Sequence, residues 1–222
     1  MNCLYFLAIS HLRLTSTRGV ALHFRARPVF TNSSDRRAMK QYESSLPVFH
    51  INQFFNGPAV ATGVFQDRSG KVVNRFIMYL LGTWQTDSVG SLSEKFLFLD
   101  NDGKASHAER LWQLQVTGAH KFTATAQGSA GDIVGLAQGE AEGFAMRWRY
   151  TVRQPVGKRF FNLRVDDWMY LIDKDHVVNR SKMRFLGFFV GDVSIEIHRL
   201  ADTPENRKTM LQLPRVGDAV PV

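Results

Sequence analysis

Phe144-Ala-Met-Arg-Trp-Arg-Tyr-Thr-Val-Arg153 carries the clearest pattern in this chain. Its large apolar side chains occupy every second position, and alanine, arginine or threonine fills the positions between them. Successive residues of a β-strand point to opposite faces, so this period of two places the apolar side chains on one face. The stretch is therefore predicted to be a strand with one buried face and one face in water.

The same alternation recurs, with turn residues between the runs, through most of residues 58 to 199. The predicted strands cover residues 59–66, 71–84, 92–99, 105–116, 121–127, 132–139, 144–153, 159–172, 176–184 and 187–199. Short connections favour pairing between successive strands. Because an open sheet of this size would leave unpaired edges, closure is favoured. The sequence predicts an all-β fold, an antiparallel up-and-down meander of about ten strands closed into a barrel.

The chain is predicted to divide into three parts. Residues 1–45 lack the alternation and are expected to be a tail that is disordered, processed or a misannotated start. Residues 46–200 form the predicted barrel. Residues 201–222 form a second tail, in which Asp202-Thr-Pro-Glu205 is typical of the N-cap and first turn of a short helix.

The positive charge is concentrated outside the predicted barrel. The formal net charge is +8, and residues 1–45 hold seven basic residues but only two acidic ones. The barrel is then only mildly basic, which favours solubility but does not indicate a nucleic-acid surface. No nucleic-acid partner is predicted.

Short motifs along the predicted barrel carry a resemblance to a known family. They include Phe54-Phe-Asn-Gly57, Gly63-Val-Phe-Gln-Asp-Arg-Ser-Gly-Lys71, Leu92-Ser-Glu-Lys-Phe96, Arg110-Leu-Trp112, Trp148-Arg-Tyr150, Asp166-Asp-Trp-Met169, Asn179-Arg180 and Gly191-Asp-Val193. Together they resemble the bacterial family called domain of unknown function 3833 over residues 48–199. The resemblance implies a lipocalin/calycin-like barrel of the bacterial envelope, in the periplasm or at the outer membrane, and it brings no reaction or ligand.

The amino terminus differs from that family, many of whose members carry a lipoprotein signal. Cys3 follows only two residues, so no hydrophobic segment precedes it as a lipid-attachment cysteine requires. Envelope localisation is expected if the true start carries a signal, and association with a membrane surface is left open.

The most suggestive polar residues lie in the predicted strand 159–172. Asp167 shares its face with the apolar residues Val165 and Met169, whereas Asp166 lies on the opposite face, so the two aspartates cannot form a catalytic dyad. A carboxylate on an apolar face needs a charged or hydrogen-bonding partner, and an inward arginine such as Arg110 or Arg180 could supply one. Three roles stay open for Asp167: a buried ion pair that stabilises the barrel, a group that orients a ligand, or a catalytic group.

The abundant aromatic residues either fill the barrel or line a cavity within it. The residues predicted for the pocket or its support are Trp112, Trp148, Asp167, Trp168 and Arg180. The favoured function is a barrel that binds or carries a small hydrophobic or lipidic molecule without catalysis.

Two alternatives remain at this stage. The first is an enzyme that acts on an apolar substrate through a buried carboxylate, either Asp167 or Glu94. The second is a structural envelope protein with a filled barrel. No catalytic residue, cofactor or metal is predicted, since the seven histidines form neither an H-E-x-x-H nor an H-x-H pattern.

Overall fold

The computed structural model describes residues 38–156 and 159–218. Within these ranges the strands are β1 (Gly57–Asp67), β2 (Val72–Trp84), β3 (Val89–Asp100), β4 (Ala105–Gly118), β5 (Lys121–Gln127), β6 (Asp132–Ile133), β7 (Ala137–Glu142), β8 (Ala145–Val156), β9 (Arg159–Leu171), β10 (His176–Phe185) and β11 (Phe188–Arg199). The helices that lie wholly within these ranges are α1 (Ile51–Phe54) and α2 (Pro204–Met210), and residues 38–40 are also helical. Residues 1–37, which make up most of the predicted tail, lie outside the described residues.

Ten of these strands form a closed antiparallel ring. Each strand pairs with the next along the chain from β1 to β5, then through β7, β8, β9, β10 and β11. The ring closes because β11 also pairs with β1, with Ala59 opposite Arg199. The two-residue strand β6 pairs with the edge of β8 that β7 also uses, because β9 occupies the other edge. The prediction of an all-β, closed, up-and-down barrel of about ten strands is confirmed.

The predicted strand 132–139 is wrong in detail. The chain forms β6 and then bends through Gly135, whose φ is +73°, before β7 begins at Ala137. The inward residues of β7 are Ala137, Gly139 and Ala141, too small to produce an alternation of large apolar side chains. Because that signal is missing, the predicted end at residue 139 falls three residues short of the observed end at Glu142.

One end of the barrel is covered by the segment that precedes β1. Buried Phe49, Ile51, Phe54 and Phe55 cross this end, and we call it the closed end. The backbone N–H of Phe49 donates to the carbonyl of Gly143 at 2.7 Å. On the far side, the indole N–H of Trp84 donates to the carbonyl of Phe55 at 2.8 Å. These bonds attach the residues that flank α1 to the β7–β8 turn and to the end of β2.

The opposite end, which we call the hairpin end, is formed by the turns at residues 67–71, 100–104 and 185–188. No segment like α1 crosses it within the described residues. The two ends of the barrel therefore differ in how they are covered.

Segments outside the ring pack on its outer wall. Thr203 is the N-cap of α2, and its hydroxyl accepts from the N–H of Asn206 at 3.2 Å. The helix buries Met210 against Val60 and Tyr79 of the outer wall. Residues 38–45, which the sequence assigned to the tail, also pack on the barrel, because Met39 is buried there.

Candidate functional site

The interior of the barrel contains a cavity of about 130 Å³. Aromatic and aliphatic side chains form most of its wall, among them Phe65, Phe76, Phe96, Trp112, Trp148 and Tyr150. A dry apolar cavity of about 150 Å³ is large enough to hold benzene. The space inside this barrel is thus close to the size of one small ring.

Two tryptophans from strands that are not neighbours meet at the cavity. The ring centroids of Trp112 on β4 and Trp148 on β8 lie 5.1 Å apart, although β5 and β7 separate these strands in the ring. The approach is possible because most of the intervening inward residues are small, the exception being Phe122 of β5, whose ring lies 5.0 Å from that of Trp148. Ala126 lies opposite Trp112, and Gly139 lies opposite Trp148. Small residues on two strands therefore make room for two large side chains that cross above them.

The indole nitrogens of these tryptophans are buried donors of the cavity wall. The Nε1 atoms of Trp112 and Trp148 are buried, and neither finds a hydrogen-bond acceptor among the residues that the structure describes. Buried polar groups in proteins are usually satisfied, and each exception costs about 1–3 kcal/mol. A molecule in the cavity that offers an acceptor atom would recover part of this free energy.

Asp167 is the centre of a polar cluster on the cavity wall. The hydroxyl of Ser181 donates to its Oδ1 at 2.7 Å, and the amide of Asn179 donates to the same oxygen. The hydroxyl of Tyr150 donates to Oδ2 at 3.4 Å. Ser181 lies directly opposite Asp167 on the neighbouring strand, so the pairing of β9 with β10 positions the cluster.

Burial raises the pKa of Asp167 above its ordinary value. The hydrogen bonds from Ser181 and Asn179 oppose this shift, while the nearby charge of Glu94 adds to it. Desolvation penalises a carboxylate because the barrel interior cannot solvate the charge as water does. Burial therefore makes the neutral form of this carboxyl group more accessible than in an exposed aspartate.

A buried ion pair forms another part of the cavity wall. Arg110 Nε donates to Glu94 Oε2 at 2.8 Å across β3 and β4. The guanidinium carbon of Arg110 also lies 5.0 Å from the ring centroid of Trp112. Arg110 faces inward as predicted. It forms an ion pair with Glu94, and its positive charge also lowers the pKa of Asp167.

The structure brings three of the five predicted site residues together and separates the other two. Trp112, Trp148 and Asp167 line the cavity. Trp168 and Arg180 lie opposite each other on the outer face, so neither belongs to the cavity wall. Their positions follow from the alternation, because each is one residue away from an inward side chain.

Several cavity residues were missed as predicted site residues. They are Asn179 and Ser181, which complete the Asp167 cluster, and Tyr150, which lines the cavity. The signal that could have found them is the face they share with buried residues. Asn179 and Ser181 alternate with the exposed residue Arg180 in β10, and both are buried.

Apolar side chains are exposed at the hairpin end. Leu186 and Phe188 in the β10–β11 turn are each 70 % exposed, and Phe160 at the start of β9 is 60 % exposed. The guanidinium carbon of Arg153 lies 4.3 Å from the centroid of the Phe160 ring. This rim combines large apolar groups with positive charge.

Comparison of this chain with known protein families found one match. The model of a family described as "Protein of unknown function (DUF3833)" matches residues 29–199. No curated protein matches the chain. Within residues 38–156 and 159–218, no helix combines the length and the apolar character that crossing a membrane requires.

Solved structures resemble the fold at low sequence identity. Rv2717c from M. tuberculosis has a TM-score of 0.50 and 12% identity, with 71% of this chain and 99% of that chain covered. The S-type phycobiliprotein lyase CPES from Guillardia theta has a TM-score of 0.47 and 7% identity, covering 70% of this chain and 95% of that one. A de novo designed fluorescence-activating β-barrel has a TM-score of 0.34 and 12% identity, with coverages of 68% and 99%. At these identities the likeness concerns the fold alone.

Proposed function

The chain belongs to the DUF3833 family of proteins of unknown function, and from its own geometry we propose that it binds a small, largely apolar molecule inside the barrel. The observation that carries this proposal is the pair of unpartnered indole nitrogens on Trp112 and Trp148, both in the cavity wall. A packed core would not normally leave two buried donors unsatisfied beside empty space. A bound molecule supplies what the protein lacks.

The cavity defines the chemistry of that molecule. Its aromatic wall favours a flat or apolar body, and the indole nitrogens require a hydrogen-bond acceptor such as a carbonyl or ether oxygen. The hydroxyl of Tyr150 and the carboxyl group of Asp167 can orient the same polar group. The volume accepts about one benzene-sized group, so a lipidic ligand would place only its terminal part there.

The first test asks which indole N–H responds to a ligand. The chain has four tryptophans, and each gives a separate side-chain signal in an 1H–15N spectrum of the full chain. Acetophenone offers an aromatic ring with a carbonyl, and ethylbenzene is its counterpart without an acceptor. We expect acetophenone to shift the Trp112 and Trp148 indole signals downfield more than ethylbenzene does.

The chain supplies internal controls for this test. Trp84 already donates to Phe55, and Trp168 lies on the outer face, so their signals should stay in place. Trp112→Phe and Trp148→Phe assign the two signals and should each weaken acetophenone binding. Equal shifts for all four tryptophans, or none for the cavity pair at saturating probe, would contradict the proposal. Native mass spectrometry of the purified chain, before and after organic extraction, then gives the mass of the natural ligand.

The second candidate is an enzyme that acts on an apolar substrate through a buried carboxylate. The raised pKa of Asp167 in the cavity wall is the observation that favours it, since a poised acid or base of this kind suits proton transfer. Asp167→Asn separates the candidates because it keeps the size of the side chain but removes the titratable group. If the protein is a carrier, the variant should still bind the extracted molecule, and neither protein should convert it. If the protein is an enzyme, the wild type should convert the molecule to product and the variant should not.

The proposal includes a place of action at a membrane surface of the bacterial envelope. The resemblance to envelope proteins supports it, as does the apolar rim of Leu186, Phe188 and Phe160 beside Arg153. Exposed aromatic groups next to cations suit an anionic bilayer surface. Co-sedimentation with phosphatidylglycerol vesicles should exceed that with phosphatidylcholine vesicles, and Phe188→Asp should abolish the excess. Equal sedimentation of the variant and the wild type with phosphatidylglycerol vesicles would exclude this rim as the membrane-binding surface.

A further inference from the structure

A pair of histidines lies on the outer wall, near the closed end and away from the cavity. His176, the first residue of β10, is directly opposite His198 on β11. Their imidazole rings stack with centroids 4.2 Å apart and planes inclined by 16°. Glu196 lies two residues before His198, so the period of the strand places it on the same face. The pairing of two strands thus brings His176 beside Glu196 and His198, which lie on a different strand.

These side chains place three donor atoms close together. One nitrogen of each histidine and one carboxylate oxygen of Glu196 lie within 4.8 Å of one another. Tetrahedral zinc with bonds of about 2.0–2.1 Å needs donors roughly 3.4 Å apart. Glu196 and His198 are exposed, so rotation of their side chains can close the difference without moving the strands.

A second observation comes from His176 itself. Its Nε2 atom is buried and has no hydrogen-bond partner in the described part of the chain. An unsatisfied imidazole nitrogen is costly, and a bound cation would satisfy it through its lone pair. Arg199, the residue after His198, carries a positive charge that would repel a metal ion. The carboxylate of Asp175, 3.6 Å away, offsets that charge.

We propose that His176, Glu196 and His198 bind one divalent transition-metal ion on the outer wall, with zinc the best fit. Two imidazoles and one carboxylate are a donor set that suits zinc, nickel or copper, whereas calcium and magnesium prefer oxygen donors alone. Three protein ligands leave a further coordination position for water or an external ligand. The ion also links the start of β10 to the end of β11, so it stabilises the strand pair that precedes α2.

Zinc titration of the full, EDTA-dialysed chain tests the proposal. Competition against a chromophoric chelator should give one site that His198→Ala weakens by at least about tenfold, the lower bound seen when even an outer-shell partner of a metal ligand is removed. Zinc should also raise the thermal unfolding midpoint of the wild type and not of the variant. Cobalt(II) should give visible bands of a nitrogen–oxygen site, without the intense near-ultraviolet band of a thiolate that binding at Cys3 would produce.

The matched control is His120→Ala, because His120 also lies beside a carboxylate, with its Nδ1 3.7 Å from Glu142. That variant should bind zinc like the wild type. If His198→Ala were to fold poorly in EDTA, Glu196→Gln repeats the test at an exposed position. Unchanged affinity in a folded His198→Ala or Glu196→Gln variant, or an equal loss in His120→Ala, would overturn the metal site. Because the cavity is not involved, neither result bears on ligand binding inside the barrel.

Discussion

Asp167→Asn is expected to stabilise the barrel, and the gain is expected to grow with pH. Folding raises the pKa of Asp167 above the reference value of 3.8, so the folded protein holds this proton more tightly than the unfolded chain does. The stability that this proton contributes is fully present below pH 3.8 and is lost as the pH rises through the folded-state pKa. Asparagine has the same shape and carries no such penalty.

The magnitude follows from proton linkage. Between the unfolded-state and folded-state pKa values of Asp167, the folded wild type holds one proton that its unfolded state has released. The variant has no such difference at this position. The free energy of unfolding of the wild type should therefore fall relative to the variant by about 1.4 kcal/mol per pH unit. Above the folded-state pKa the difference should become constant. The two hydrogen bonds to Oδ1 survive the substitution, because an asparagine oxygen still accepts from Ser181 and Asn179. The asparagine NH2 takes the place of Oδ2 and can donate to the Tyr150 hydroxyl instead of accepting from it.

Urea unfolding from pH 4 to pH 8, followed by tryptophan fluorescence, measures this difference directly. Contributions from other groups largely cancel between the two chains because each titrates in both. A control of opposite sign is Asp67→Asn, since the hydrogen bond from the Ser69 hydroxyl lowers the pKa of Asp67. That variant should lose stability at neutral pH, and the loss should shrink as the pH falls. A difference for Asp167→Asn that is flat or falls with pH would refute the reasoning.

Three further substitutions test the packing that surrounds the cavity, each by urea unfolding. Gly139→Val should destabilise the barrel by about 1–3 kcal/mol, because its new side chain would overlap the ring of Phe122. Trp84→Phe should cost about 1 kcal/mol, since it removes the hydrogen bond to the carbonyl of Phe55. Met210→Ala should cost about 2–5 kcal/mol, because Met210 is fully buried between α2 and the outer wall. A cost below about 0.5 kcal/mol in any of them would contradict the contact it tests.

Much of the fold could be predicted because strand alternation is a local property. Phe144 to Arg153 shows which face of its strand is apolar, and the same rule separates inward Asp167 from outward Asp166. The rule fails where inward residues are small. In β7 the inward positions hold alanine and glycine, so the signal of large apolar groups is missing and the strand bounds are misplaced.

The site was predicted only in part, because some residues were chosen by their chemical type and not by the face on which they lie. Trp112, Trp148 and Asp167 could be selected because they are polar or aromatic residues on apolar faces. Trp168 and Arg180 were selected for their residue type, although their own alternation places them on the outer face.

The class of fold and the face on which most strand residues lie can be read from the amino-acid pattern, because the pleat repeats every two residues and needs no knowledge of partners. Which of those residues meet depends on how the strands pair in the folded chain. Trp112 and Trp148 come together across two strands of small residues, and His176 reaches His198 through strand pairing. Ring closure and register are long-range properties, since each contact depends on how all the strands pair. The unsatisfied indole N–H groups of the cavity and the three possible metal-ligand atoms on the outer wall can therefore be recognised only in the folded structure.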